Sequence, residues 1–536
     1  MEKLTHNILV IFTVFLAVII GINSSIHFKT DLLRWIYETQ LLSSGRELYS
    51  EITWQYPPIS IYIYSFITNF FGMTINGIIF INTLISGLII FNLYKTLVNF
   101  DLKKPAAIIV IISCMFITLS SNHFRLFSLQ LYTPAVIIGA LGLTFVMSSI
   151  GSLYKHQNVK SSSLIFMILG VTLAILSKPE YGIGAIALAF LGTVKLKYYK
   201  TLVQGCLAVL ALIYIFYLFT LAEVPLQSVI DGISGFGVSS GQFDDLPSIK
   251  VIIACIMLSI CLFIYINSSF HIRYINLIGA ISILFLALLA PGALDQMLTL
   301  IGSAIVIYYY ANLLLSKTQF NIFPKLYMFL SFGFAIYYLR NLIWLNHFSL
   351  FIPPLIIWIS ILLYKASSKK FLNWISFLFL VSIANIAITA VEFSKSDTFG
   401  TELGDLRAKK EDVKLYGDAY AFITNYLKKS DLPVFTAPYG GAFEATTLHL
   451  NNFTQTQFVR MKLSERQRLV ELKKLKVVGK FLYIRQVFNN NQLSIEKMNE
   501  ANPEIFTELE NNSTLLSSYC SDDCKEGINI YLYEFK

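Results

Sequence analysis

Residues 74–96 read TINGIIFINTLISGLIIFNLYKT, with no charged side chain from Ile75 to Tyr94 and Lys95 closing the run. A helix rises ~1.5 Å per residue, so about 20 such residues cross the ~30 Å hydrocarbon core of a bilayer. Blocks of this kind recur along the first three quarters of the 536-residue chain. Spans are expected near 7–25, 74–96, 106–121, 129–150, 163–177, 182–196, 201–222, 250–270, 274–290, 297–314, 326–342, 349–364 and 371–391. The apolar stretch Ile8–Ile20 has the length of a signal peptide, but no small-residue cleavage site follows it. It is read as the first anchor. Composition agrees: 55% of residues are hydrophobic, 14% are charged and the mean hydropathy is +0.64. A soluble globular chain carries about 25% charged residues.

Charge gives the blocks a direction. Divided at Val391, the chain holds 22 basic and 12 acidic residues before the division, and 19 basic and 20 acidic after it. The net charge of +9 therefore belongs to the apolar part, and no clustered basic face points to nucleic acid. With the N-terminus in the cytoplasm, the inner loops collect Lys3, Lys95, Lys103, Lys104, Lys155, Lys160, Lys195, Lys197, Lys200, Arg273, Lys317, Lys325, Lys365, Lys369 and Lys370. Against these stand only Glu2 and Asp101, whereas the outer loops hold seven basic and ten acidic residues. Lys and Arg in short loops mark the cytoplasmic side, so this orientation is expected. An odd number of spans then places the C-terminus outside. The architecture expected is an α-helical polytopic membrane domain over 1–391 and a small extracytoplasmic α/β domain over 392–536. Residues 418–428 read as helix, and 433–436, 477–484 and 528–533 read as strands. Cys114, Cys206, Cys255 and Cys261 fall in apolar spans, whereas Cys520 and Cys524 suit a local disulfide outside the cytoplasm.

Two outer loops are long. Residues 223–249 contain DGISGFGVSSG, a composition that predicts a mobile loop. Residues 26–73 are more ordered in pattern. An amphipathic helix is expected from Asp31 to about Ser44, then a turn at Gly45. Tyr56-Pro57-Pro58 opens a second helix that ends at Gly72. That helix is apolar and short, and is expected to lie along the membrane surface. Asp31 stands just outside the first span, where it is either a helix cap or a functional carboxylate. Arg34, Glu38, Arg46, Glu47 and Glu51 read as solvated or paired surface charges.

The ordered set Asp31, Tyr37, Leu42-Ser43-Ser44-Gly45, Leu48-Tyr49, Tyr56-Pro57-Pro58-Ile59 and Phe71-Gly72 resembles the first outer loop of GT-C fold glycosyltransferases. The branch is the protein-mannosyltransferase-like and aminoarabinose-transferase-like one. Ser177-Lys178-Pro179-Glu180 is similar to that family's Lys-Gly/Pro element. Asn346-His347-Phe348 with Ile352-Pro353-Pro354 is similar to its late His-aromatic and Pro-Pro segment. The resemblance implies sugar transfer from a polyprenyl-phosphate-linked donor to a glycan, lipid or protein hydroxyl, in the bacterial inner membrane. It makes Asp31 the candidate base, and Arg125, Lys178, Arg340, His347 and Tyr56 candidate substrate contacts. The second outer loop, 121–130, has His123, Arg125 and Gln130 but no carboxylate, so a divalent-metal ligand set is incomplete and no cofactor is assigned. In the tail, Gly440-Gly441 after a strand lacks the P-loop Lys-Ser/Thr and is a weak phosphate signal. Two other readings involve lipid-linked glycans. A transporter or flippase predicts inverted repeats and midplane charges, neither of which is visible in the sequence. A polymerase or ligase resembles the chain in hydropathy, but carries its elaborate loop late and Arg-rich.

Overall fold

The computed structural model describes residues 30–52, 54–100, 134–156, 160–195, 197–239, 393–427, 433–437, 465–487, 503–520 and 527–535, with isolated positions between 257 and 391. The elements are α1 (Thr30–Ser43), α2 (Ile59–Phe71), α3 (Ile75–Asn99), α4 (Pro134–His156), α5 (Ser161–Ser177), α6 (Pro179–Lys195), α7 (Tyr199–Thr220) and α8 (Leu226–Ser239). After them come β1 (Ser396–Thr401), β2 (Gly404–Lys409), α9 (Lys410–Leu427), β3 (Val434–Ala437), α10 (Glu465–Val478), β4 (Lys480–Val487), α11 (Pro503–Asn512), β5 (Ser513–Cys520) and β6 (Gly527–Phe535). Helices α3 to α7 coincide with five of the expected spans, and α3, α4 and α7 are long and apolar enough to cross a membrane. The remaining expected spans lie wholly or largely outside the described residues. The fold is that of a helical membrane protein with an α/β tail.

The chain divides into two compact units. One comprises residues 1–25, 79–215 and 243–394, and the other 26–78, 216–242 and 395–536. In the first, α4, α5 and α6 pack as a bundle whose contacts are set by small residues. A Cβ on Gly142 would stand 2.6 Å from the carbonyl oxygen of Gly170, and one on Gly170 would stand 2.6 Å from that of Gly142. The two helices thus meet backbone to backbone, which is how apolar helices gain dispersion contact where lipid tails remove the usual hydrophobic drive. Hydroxyls in α3 and α6 are tied to their own turns. Thr83 donates to the Ile79 carbonyl at 2.7 Å, Thr96 to Asn92 at 2.8 Å and Thr193 to Ala189 at 2.7 Å. Helix α7 departs from the bundle pattern: Val203, Leu207, Leu210, Tyr214 and Leu218 are all exposed. Such a surface suits lipid as its solvent.

The second unit gathers the two long loops and the tail. Helix α2 is inverted relative to a soluble amphipathic helix. Its buried face carries Ser60, Ile61, Tyr64, Ser65 and Thr68, while Phe66, Phe70 and Phe71 are exposed. Hydroxyl-bearing residues inward and phenyl rings outward are what a helix resting on lipid requires. Residues 223–249 differ from the expected mobile loop, because 226–239 form α8. Glycine disfavours a helix by about 1 kcal/mol relative to alanine, so tertiary contact decides here. Buried Gly232 lets the α8 backbone approach Tyr49 and Trp54; a Cβ there would lie 2.6 Å from Tyr49 Cδ1 and 3.1 Å from the Trp54 carbonyl oxygen.

In the tail, β1 and β2 form an antiparallel hairpin, and a second sheet has the order β3-β4-β6-β5. Strands β3 and β4 are parallel and joined through α10; the other pairings are antiparallel. Leu482, Ile484, Ile530 and Val434 on the sheet pack against Tyr416, Ala419 and Ile423 of α9. The expected helix and three expected strands are present with shifted ends, and the strand expected from 477 begins at 480 because α10 runs to Val478. The hairpin, α10, α11 and β5 were not expected. The hairpin tip reaches the start of α3. The Ile75 N–H donates to the Leu403 carbonyl at 2.9 Å, and the Leu403 side chain is fully buried.

Candidate functional site

Asp31 occupies the first turn of α1, with Thr30 as the first helical residue. Its side chain is outside the described residues. The turns that follow carry Arg34, Trp35 and Glu38, all on the face that continues from Asp31 at helical spacing. Arg34 and Glu38 are paired, as their sequence context suggested, but not on the surface. Glu38 is fully buried, Arg34 is nearly so, and Arg34 Nε stands 3.6 Å from Glu38 Oε1. Trp35 is fully buried and meets Tyr64 of α2 edge-on at 5.2 Å between ring centroids. Ser43 and Ser65 share a hydrogen bond of 2.8 Å between the same two helices. The Arg34–Glu38 pair lies within α1, and removing either partner would leave the other buried and uncompensated. The Trp35–Tyr64 ring contact and the Ser43–Ser65 hydrogen bond fix α1, which carries Asp31 in its first turn, against α2.

Tyr56 lies where the turn meets α2. It is half-buried, its ring is edge-on to Trp54 at 5.5 Å, and its carbonyl accepts the Tyr49 hydroxyl at 2.6 Å. Tyr49 adopts φ of 67°, a left-handed conformation that costs a bulky residue energy. The same residue's N–H donates to the Ile52 carbonyl at 2.9 Å, which closes the turn around that conformation. Burial, and then the neighbouring Tyr62 phenol, push the Tyr49 hydroxyl well above the ordinary tyrosine range. It therefore stays a donor. The Tyr62 hydroxyl donates to the Thr220 carbonyl at 2.9 Å and its ring is edge-on to Phe216, which joins α2 to the end of α7.

Lys178 belongs to the helical unit. It separates α5 from α6 in an extended conformation, φ −154° and ψ 126°. Its N–H donates to the Ala174 carbonyl at 3.1 Å, and its carbonyl accepts the Gly182 N–H at 3.1 Å. The Lys178 side chain is buried, with Nζ 3.8 Å from Glu180 Oε1. Arg125, Arg340 and His347, like His123, Gln130 and Gly440-Gly441, lie outside the described residues. Cys520 ends β5, and Cys524 lies outside them. Among the described residues no group of three or more His, Cys, Asp and Glu could hold a metal ion.

Two features had a readable signal. Arg34 and Glu38 stand four apart on a helix, the spacing of an ion pair, and Glu180 sits two residues beyond Lys178. Their burial had none, because charge periodicity on an amphipathic helix ordinarily marks the solvent face.

No family model and no curated protein matches the sequence. The chain is similar in structure to ArnT from Cupriavidus metallidurans in the apo state, at 12% identity and a TM-score of 0.47, over 99% of this chain and 98% of that one. For the same protein bound to undecaprenyl phosphate the identity is 12% and the TM-score 0.48, over 98% and 97%. For the oligosaccharyltransferase of Archaeoglobus fulgidus in the apo form they are 10% and 0.42, over 95% of this chain and 73% of that one.

Proposed function

We propose that the protein is a membrane glycosyltransferase that moves a sugar from a polyprenyl-phosphate-linked donor to an acceptor hydroxyl on the extracytoplasmic side. The observation that carries this reading is the second compact unit. Residues 26–78, 216–242 and 395–536 are far apart in sequence, yet they form one compact unit that includes α1 and Asp31. The order of motifs in 31–72 supports the same reading, as does the Lys-Pro element at 178–179. Asp31 is the general base. It takes the acceptor hydroxyl proton while the acceptor oxygen bonds to the anomeric carbon. The bond from that carbon to the phosphate oxygen breaks, and polyprenyl phosphate leaves with the electron pair. Attack from the face opposite the phosphate inverts the anomeric centre. The leaving phosphate gains negative charge, which cationic and N–H donors stabilise. Lys178, Arg125, Arg340, His347 and Tyr56 are the substrate contacts of this proposal.

The test is Asp31→Asn in full-length protein whose membrane insertion has been verified. A positioned general base contributes about 10²–10⁴-fold, so kcat is expected to fall by at least about 10²-fold while donor-lipid binding persists. Full activity in that variant removes Asp31 from the mechanism.

A further inference from the structure

The corner between α5 and α6 holds more unused chemistry than a lysine at a span end requires. Four consecutive residues, Ser177-Lys178-Pro179-Glu180, make the turn. The Ser177 hydroxyl is fully buried and makes no hydrogen bond in the structure. Glu180 Oε2 is also enclosed and accepts none, although the Glu180 side chain as a whole is a quarter exposed. Its other oxygen, at 3.8 Å from Lys178 Nζ, is beyond hydrogen-bond length. Buried acceptors without donors are costly, and native structures keep few of them except at working sites.

The corner is also rigid. Gly182 brings α6 so close to α5 that a Cβ there would stand 2.9 Å from the Ile175 Cα, and Tyr181 fills the space over Gly139. Both backbone polar groups of Lys178 are engaged with the flanking helices. Side chains on such a frame lose little freedom when they take a ligand, which favours a binding role.

We infer that Glu180 is a sugar-contacting residue: its Oε2 accepts hydroxyl hydrogens of the donor sugar whose phosphate lies beside Lys178. This rests on the donor reading above. An ammonium takes the anion, and the carboxylate takes what the phosphate cannot supply, namely O–H groups. A phosphate-linked saccharide offers both kinds of group a few bonds apart. A bare polyprenyl phosphate offers only the first. Glu180 is thus the residue by which this corner distinguishes a loaded lipid from a spent one.

The experiment measures binding to full-length protein in nanodiscs, using decaprenyl phosphate and its mannosyl, glucosyl and N-acetylglucosaminyl forms as probes. The native protein is expected to bind at least one sugar-bearing lipid more tightly than the bare one. Glu180→Leu removes both oxygens at similar volume and should weaken that lipid by about tenfold or more, the scale of a hydrogen bond to a charged group. It should leave decaprenyl phosphate within about twofold. Glu180→Gln keeps one acceptor and the shape, and should fall between the two, which guards against a folding defect in the leucine variant. Equal loss of both lipids would make Glu180 a prop for Lys178 and overturn the inference, as would equal binding of all four lipids by the native protein. If the native protein binds none of the four, the donor reading fails and the inference falls with it.

Discussion

Tyr49 shows how one side chain joins several segments of the second unit. Its left-handed backbone, its hydroxyl bond to the Tyr56 carbonyl and its contact with Gly232 link the turn after α1, the start of α2 and α8. The phenol titrates far above its ordinary value because burial disfavours the phenolate. The sign of the linkage follows. An unfolded chain releases this proton near pH 10, whereas the folded one retains it. The stability contribution is therefore complete below about pH 10 and is lost as pH rises toward the folded value. Tyr49→Phe should lower the thermal midpoint at pH 8 by an amount corresponding to about 1 kcal/mol, since one buried hydrogen bond is lost. It should also flatten the decline in midpoint between pH 9.5 and 11, measured on detergent-solubilised protein. An unchanged alkaline slope would show that other groups govern it. None of this was visible in the sequence, where Leu48-Tyr49 reads only as part of a turn; the conformation depends on a helix nearly 180 residues away in the chain.

At the level of elements, legibility tracked solvent. Helices α3 to α7 announce themselves because a bilayer-crossing helix must be apolar along its whole length, and lipid imposes that on every position. Helices α1 and α2 were legible from the turn at Gly45 and the Pro57-Pro58 start. The β1–β2 hairpin was not, since Ser396–Thr401 and Gly404–Lys409 bury only Ser396, Leu406 and Ala408 and lack an apolar alternation. Its significance lies at the tip. Leu403 is fully buried, its carbonyl receives the Ile75 N–H, and Thr401 Oγ1 accepts the Leu403 N–H at 3.2 Å while donating to the Gly404 carbonyl at 2.8 Å. The first turn of α3 has amides with no partner inside the helix, and the tail supplies one. Leu403→Ala should cost about 2–5 kcal/mol if the tip cannot collapse around the gap. Hydrogen exchange at the Ile75 amide should then accelerate along with that of the hairpin, while α4 to α6 remain protected. Exchange that rises in the hairpin alone would show the contact to be incidental.

For the whole molecule, the outward side is the claim with the widest consequences. Orientation was argued from Lys and Arg counts in loops, and the compact unit that unites 26–78, 216–242 and 395–536 requires those three segments to share one side of the membrane. The two arguments are independent, because loop charge plays no part in packing. The loop-charge orientation predicts residues 160 and 197 on the cytoplasmic side. Single cysteines on a background in which the six native ones are replaced make this measurable. Glu47→Cys in the outer turn and Asp405→Cys beside the hairpin tip are both exposed positions, as is Lys160→Cys before α5. A membrane-impermeant maleimide added to spheroplasts should label the first two at once and the third only after lysis. Labelling of Lys160→Cys in intact cells would invert the topology and move Asp31 to the cytoplasm, away from an extracytoplasmic donor. Labelling of Glu47→Cys but not Asp405→Cys would separate the tail from the loop it caps. The expected pattern keeps the helix of Asp31, the turn of Tyr56 and the hairpin tip in one compartment, as a single outward site requires.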